Sequence, residues 1–403
     1  MTTESRRDAP AGRLYPDAAR RPRTQTVGYY LSFIALGLVV ASLGPTLPGL
    51  AGNTHSALRE ISLLFSARAL GYLCGSVVSG RLYDRVGGHP LMAGVLAGMA
   101  LMLVLAPLVS WLALLILLMF VLGTNEGALD VGANTLIVWV HGRAVGPYMN
   151  ALHFFFGVGA FLSPIVVAQA LAWSGDIQWA YWTLALLLAP AALWLWRTPS
   201  PAAQRVQVAA SGQVNSVLVA LIMLFFFLYA GAEGAFGGWI FSYATGLRLA
   251  DGPTAAYLTS TFWGALTVGR LLSIPLAARF SPRVILLADL LGGVLSMLLI
   301  LTGSQSLALT WLGTAAFGLS MASIFPTTLA LAERRMTITG QVTGWFFVGA
   351  SLGGMFWPWL IGQLFDAIGP AITMLAITVD LVLSLALFVV LDAHAQRSAL
   401  KAA

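Results

Sequence analysis

Long apolar runs, each closed by a short polar stretch, organise this chain. A helix of about 20 mostly apolar residues crosses a bilayer core. Runs of that kind lie near 26–50, 60–82, 89–109, 111–140, 146–173, 177–197, 213–246, 253–279, 284–303, 306–332, 338–366 and 369–392. They predict twelve membrane-spanning helices. A transmembrane barrel would instead show segments of about 10 residues with alternating polarity. Composition points the same way. Of 403 residues, 59% are hydrophobic and 9% charged, against about 25% charged in soluble domains. A water-soluble fold has too little interior to hide that much apolar surface, so the lipid bilayer is the expected surroundings.

Charge placement tests the count. Cytoplasmic loops carry the excess of Lys and Arg. Alternating twelve spans puts seventeen basic residues on one side, among them Arg23, Arg81, Arg85, Arg143, Arg197, Arg279, Arg283, Arg334 and Arg335, and only Arg59 and Arg248 on the other. Both termini are therefore expected to be cytoplasmic, in a plasma or inner membrane. The first run is too long for a signal-peptide core and lacks a small-residue cleavage site, so it reads as a retained span. The net charge of +6 sits in tails and loops, which gives no nucleic-acid surface. Cys74 stands alone, so no internal disulfide forms.

The stretch "TPSPAAQRVQVAASG" at 198–212 is a polar break between six spans and six. The expected organisation is a tail at 1–25, a bundle at 26–197, a linker at 198–212, a second bundle at 213–393 and a tail at 394–403. Punctuation repeats between the halves. Gly71 pairs with Gly269, Arg81 with Arg279, Arg85 with Arg283, Gly159 with Gly353 and Pro164 with Pro358. This suggests duplication of a six-helix unit, and one chain then holds both halves and is expected to work as a monomer.

The loop "GRLYDRVGGHP" at 80–90 resembles the G-x-L-x-D-R-x-G signature of the major facilitator superfamily. Gly80, Leu82, Asp84, Arg85 and Gly87 match, Gly88 and His89 replace the usual basic residues, and the second copy has Pro282 where the acid would stand. The resemblance implies an all-α fold of two pseudo-symmetric six-helix bundles around a central cavity, alternating in access. It also implies that Gly80, Asp84 and Arg85 latch the cytoplasmic side.

Ionisable groups deep in a membrane are costly and usually face an interior or a wet cavity. Glu126, Asp130 and Asn134 sit at i, i+4 and i+8 of the fourth span, one stripe of a helix. Such acids suit a proton or a sodium ion; an ion pair with Arg68 or Arg270 is the competing reading. In the fifth span Asn150 and His153 share a face suited to hydroxyl groups; Phe154, Phe155 and Phe156 either stack on the apolar face of a sugar or, for at least one of them, face lipid as bulk. The seventh span carries Glu233 followed by Gly234, Gly237, Gly238 and Trp239. That glycine density predicts a broken helix, and Trp239 is either a stacking platform or part of an interfacial belt. Gln341 and Trp345 share a face of the eleventh span. Asp289 is expected near Arg270, and Asp380 has no assigned role.

"ALDVGANT" in the fourth span, "MNALHFFFGVGAFLSP" in the fifth and "EGAFGGWIFSYA" in the seventh are similar to the fucose–proton symporter branch, and more so to its sodium-dependent glucose transporter-like proteins. That implies hexose uptake coupled to a proton or sodium, with Asp130 as the coupling carboxylate. The fucose branch has a further acid in its first span that this chain lacks, and Glu126 or Glu233 would take its place. Asn134, Asn150, His153, Trp239, Gln341 and Trp345 are then the expected substrate contacts. Proton-coupled drug efflux is the alternative; the amide and histidine seams disfavour it. No phosphate-binding G-x-x-x-x-G-K-[ST] loop, no nucleophile–base set and no metal cluster occurs in the sequence, so the expectation is a transporter that uses no cofactor and catalyses no reaction.

Overall fold

The computed structural model describes residues 16–83, 85–202, 216–334, 336 and 340–402. Asp84, most of the expected linker and the side chain of Gln341 lie outside the described residues. In lipid each backbone N–H and C=O must be met within the protein, so apolar runs become helices. The order is α1 (Pro16–Val40), α2 (Leu43–Asn53), α3 (Leu58–Ile61), α4 (Leu63–Tyr83), α5 (Gly88–Leu105), α6 (Leu112–His141), α7 (Gly146–Ser174), α8 (Gln178–Arg197), α9 (Ser216–Gly246), α10 (Gly252–Arg279), α11 (Pro282–Thr302), α12 (Leu307–Met321), α13 (Ile324–Glu333), α14 (Gly340–Ile368) and α15 (Ile372–Ala402). Eleven helical segments are long and apolar enough to span, and α1 with α2, bent by 48°, makes a twelfth.

The breaks fall elsewhere than glycine content predicts. α9, the seventh span, is continuous through Gly234, Gly237 and Gly238. Glycine loosens a helix, but it still donates its N–H, so the ladder survives where no water competes. The interrupted spans are the first, at Ala41–Ser42, and the tenth, at Ala322–Ser323. Each break lies four or three residues before a proline, Pro45 and Pro326 respectively. Proline cannot donate to the carbonyl at i−4 and its ring crowds that carbonyl. Pro164, Pro190, Pro275 and Pro358 are carried inside continuous helices. The first break has a side-chain donor for its freed carbonyls, described below.

Glycine's role here is close approach. A Cβ on Gly71 or Gly75 of α4 would lie 2.0 Å from the Phe120 or Thr124 carbonyl oxygen of α6. One on Gly123 or Gly127 of α6 would lie 1.9 Å or 2.1 Å from the Arg68 or Tyr72 carbonyl oxygen of α4. Only hydrogen fits on either side, which is how small residues drive helix association in lipid. A second pair of crossings, one in each half, repeats the device. Gly159 of α7 abuts the Ile34 carbonyl of α1, and Gly353 of α14 abuts the Phe227 carbonyl of α9. The paired glycines read from the sequence thus occupy corresponding crossings.

The two sets of six spans meet at the end away from the basic loops. There Gln363 Nε2 donates to the Arg59 carbonyl at 2.9 Å, the Arg59 N–H to Asp366 Oδ2 at 3.1 Å, and Ser66 Oγ to the Met355 carbonyl at 3.1 Å. On the other flank Ser260 Oγ donates to the Phe161 carbonyl at 2.6 Å, and Gln169 to the Tyr257 hydroxyl. Gly44 of α2 packs on Gly237 of α9. Toward the basic end, α7 carries Asn150 and His153 exposed.

His89, the residue that departs from the loop signature, is fully buried. Its Nδ1 lies 2.8 Å from the Thr198 carbonyl and its Nε2 2.8 Å from the Tyr29 hydroxyl. A carbonyl only accepts, so Nδ1 carries the hydrogen and Nε2 accepts from Tyr29. Ser200 Oγ accepts from the His89 N–H, and Gln25 Nε2 donates to the Pro199 carbonyl at 2.9 Å. One imidazole therefore ties α1, α5 and residues 198–200 together. His89→Ala strands the buried Tyr29 hydroxyl and is expected to cost about 1–3 kcal/mol. A thermal unfolding series on the purified protein checks this; an unchanged midpoint contradicts it.

Candidate functional site

The glycine crossing sets the site. α4 and α6 both end at basic loops, so they run parallel, and a residue of α4 meets the residue 58 positions later on α6. Two pairs result. Arg68 Nε donates to Glu126 Oε1 at 3.0 Å and Oε2 at 2.9 Å, and its Nη2 also reaches Oε1. One turn on, the Tyr72 hydroxyl donates to Asp130 Oδ2.

Arg68 does more than balance Glu126. Its Nη2 donates to the Val39 carbonyl at 2.8 Å and its Nη1 to the Val40 carbonyl at 3.4 Å. These are the last carbonyls of α1 before the break, the negative end of a helix dipole. The guanidinium spans a carboxylate and a helix end, and its fork of donors suits both. Arg68 and Glu126 are 8% and 2% exposed. So the competing reading holds for Glu126: its charge is met by Arg68 in this conformation.

Asp130 differs. It is half-buried, and Asn134 Nδ2 donates to its Oδ1 at 2.9 Å while Tyr72 donates to Oδ2. Among the described residues the ion pairs are Arg68–Glu126 and Arg283–Asp392. Asp130 is thus held by neutral donors, with its negative charge uncompensated in a low-dielectric setting. Such a group draws in a cation or a proton.

The second half contributes a separate cluster. Glu233 of α9 is half-buried and accepts from the Tyr229 hydroxyl. Arg270 of α10 lies within electrostatic reach of the same tyrosine and of His153 on α7. His153 meets the edge of Phe33, ring centroids 5.6 Å apart. Asn150 stands one turn from His153 on α7, exposed.

Other expected residues are placed apart. Trp239 is fully buried at the sealed end, its Nε1 donating to the Pro358 carbonyl at 2.9 Å and its ring stacked on Phe365. In this conformation it offers no open face. Trp345 is half-exposed toward the basic end of α14. Gly80 lies near the end of α4 with open space about it, and Arg85 is exposed in the following turn. Asp289 accepts from Ser323 at the tenth-span break rather than pairing with Arg270.

Tyr72, Tyr229, Arg68 and Arg270 join the site without having been singled out as binding residues. A signal existed for two of them: of 21 basic residues, Arg68 and Arg270 are the ones inside apolar spans. Two Gly-x-x-x-Gly pairs, Gly71/Gly75 and Gly123/Gly127, also announce the α4–α6 crossing.

Arg68→Ala leaves a buried carboxylate alone and is expected to cost about 3–5 kcal/mol, whereas replacing Arg68 and Glu126 together by leucine costs much less. A double-mutant cycle in chemical denaturation checks this; equal losses in single and double variants contradict it.

The arrangement has relatives. The profile of the Major Facilitator Superfamily matches residues 29–358. Sodium-dependent glucose transporter 1A of Mus musculus is 31% identical over 377 residues, covering 83% of this chain and 88% of that protein. Sodium-dependent glucose transporter 1 of Homo sapiens is 32% identical over 372 residues, covering 83% and 72%. Among solved structures, the nucleoside transporter NupG superposes with a TM-score of 0.74 at 13% identity, covering 92% of this chain and 99% of that one. The twelve-span all-α fold and the family profile agree: the chain belongs to the Major Facilitator Superfamily and is a multi-pass membrane transport protein, not an enzyme.

Proposed function

We infer that this transporter takes up a hexose-like sugar together with sodium. The observation that carries the reading is the contrast within α6. Glu126 has its charge met by Arg68, while Asp130, one turn away, is half-buried and held only by Tyr72 and Asn134. The names of the mouse and human relatives, sodium-dependent glucose transporters, favour sodium over a proton as the coupling ion.

In this reading the basic end faces the cytoplasm, as the bias of Arg and Lys requires. Both termini are then inside, and the conformation described is open inward. Outside, Trp239, Gln363 and Asp366 form the closed gate. Sodium binds at Asp130 from the outside when that gate is open. The sugar is bound by Asn134, Asn150, His153 and Glu233, with Gln341 and Trp345 completing the wall from α14. Neutralising Asp130 and filling the polar cavity both favour the closed-over state, and that shared preference is the coupling. The bundles at 26–197 and 213–393 rock about the site. The signature loop with Gly80, Asp84 and Arg85 latches the cytoplasmic side when it shuts.

The test is uptake of radiolabelled glucose into proteoliposomes under imposed sodium or proton gradients. Wild-type protein is expected to concentrate glucose on the sodium gradient. Asp130→Asn should lose accumulation altogether while still exchanging glucose across the membrane. Undiminished accumulation by the variant rules out Asp130 as the coupling group, and transport driven only by protons rules out sodium.

A further inference from the structure

Asp380 lies in the middle of α15, the last span, which packs on α9, α11 and α14. It is fully buried, and neither carboxyl oxygen has a hydrogen-bond partner. The main-chain amide of Ala232 on α9 approaches it without closing a hydrogen bond. One turn along α15, Ser384 is also fully buried, with its hydroxyl unpaired. On α14 the indole N–H of Trp357 is unpaired too, and a Cβ on Gly231, beside Ala232, would lie 2.9 Å from that nitrogen. While Ser384 lies one turn further along α15, Asp380 and Trp357 thus bring unpartnered polar groups to one turn of α9, at Ala232 and Gly231. The next residue of that turn is Glu233.

A buried carboxylate without a partner costs several kcal/mol in lipid. The other charged groups described on the packed elements are engaged elsewhere or lie far away. Glu233 of α9 takes Tyr229, and Asp289 of α11 takes Ser323. Arg283 of α11 pairs with Asp392 of α15 itself. Asp366 of α14 takes the Arg59 amide at the sealed end. His394 lies at the far end of α15, over three turns away. Among the described residues no charged side chain bears on Asp380. A metal ion would need several oxygen ligands around it. Here the groups at hand are one carboxyl, one hydroxyl and an indole N–H, which a cation repels. A hydrogen on the carboxyl removes the charge, so the site then needs no counter-ion.

We propose that Asp380 is a proton-binding site of the second half, separate from the Asp130 site, protonated in the conformation described and exposed to water when α9 shifts against α15. The bound form is the neutral carboxyl and release gives the carboxylate and a hydrated proton. The release step rests on the alternating-access reading above; the bound proton does not.

The test is infrared spectroscopy of the purified full-length protein at neutral pH, reading the carbonyl stretch of protonated carboxyl groups. The wild type should show a band that Asp380→Asn removes. An identical band in Asp380→Asn overturns the proposal. Should that variant fail to fold, Asp380→Glu carries the test, and a spectrum identical to the wild type overturns the proposal. Glucose uptake on the same preparations separates the two proposals. A band lost in Asp380→Asn in a protein that moves no glucose keeps the proton site and ends the sugar reading. Sodium-driven uptake with no such band in the wild type does the reverse.

Discussion

Everything at the centre of this molecule depends on how near α4 comes to α6. Four glycines, Gly71, Gly75, Gly123 and Gly127, bring backbone against backbone. Without a hydrophobic force between helices in lipid, such contact is a main source of their association. The crossing also fixes register. Because the helices are parallel and in van der Waals contact, Arg68 must face Glu126 and Tyr72 must face Asp130. Two acids one turn apart on one helix thus acquire opposite fates, one neutralised by a guanidinium and one left to neutral donors.

The same crossing links the site to the break in the first span. The break ahead of Pro45 ends α1 at Val40, and Arg68 occupies that negative end while holding Glu126. A single side chain thereby couples three helices of the first half. In the second half the residue matching Tyr72, next to the paired glycine, is Arg270, and it turns to Tyr229 and His153 instead. The duplicated scaffold is retained while its chemistry has diverged: the first half offers an uncompensated acid, and the second offers a cation, a half-buried acid at Glu233 and a fully buried one at Asp380.

Much of the fold could be read from the chain because span length and loop charge are local properties. Apolar runs of bilayer length, basic loops on alternate sides and repeated glycines each need only a short window of sequence. The pairing of acids was not local. Whether Arg68 meets Glu126 or Asp130 depends on a register set by glycines across 58 positions. Glycine density at 234–238 suggested a break, but the breaks follow Pro45 and Pro326, since proline removes a donor and glycine does not. Trp239 shows a third limit. Its residue type and depth fit a ligand platform, yet its surroundings depend on which end of the bundle is closed, and here it is packed into the sealed end.

The claim that matters most is that the two neighbouring acids of α6 differ in their need for a cation. Binding of radioactive sodium to the purified protein in detergent measures this without any transport step. Protein in which Arg68 and Glu126 are both replaced by leucine should still bind sodium saturably, at one ion per chain, and adding Asp130→Asn should abolish binding. Sodium binding that vanishes with the Arg68–Glu126 pair, or that persists without Asp130, would contradict the account.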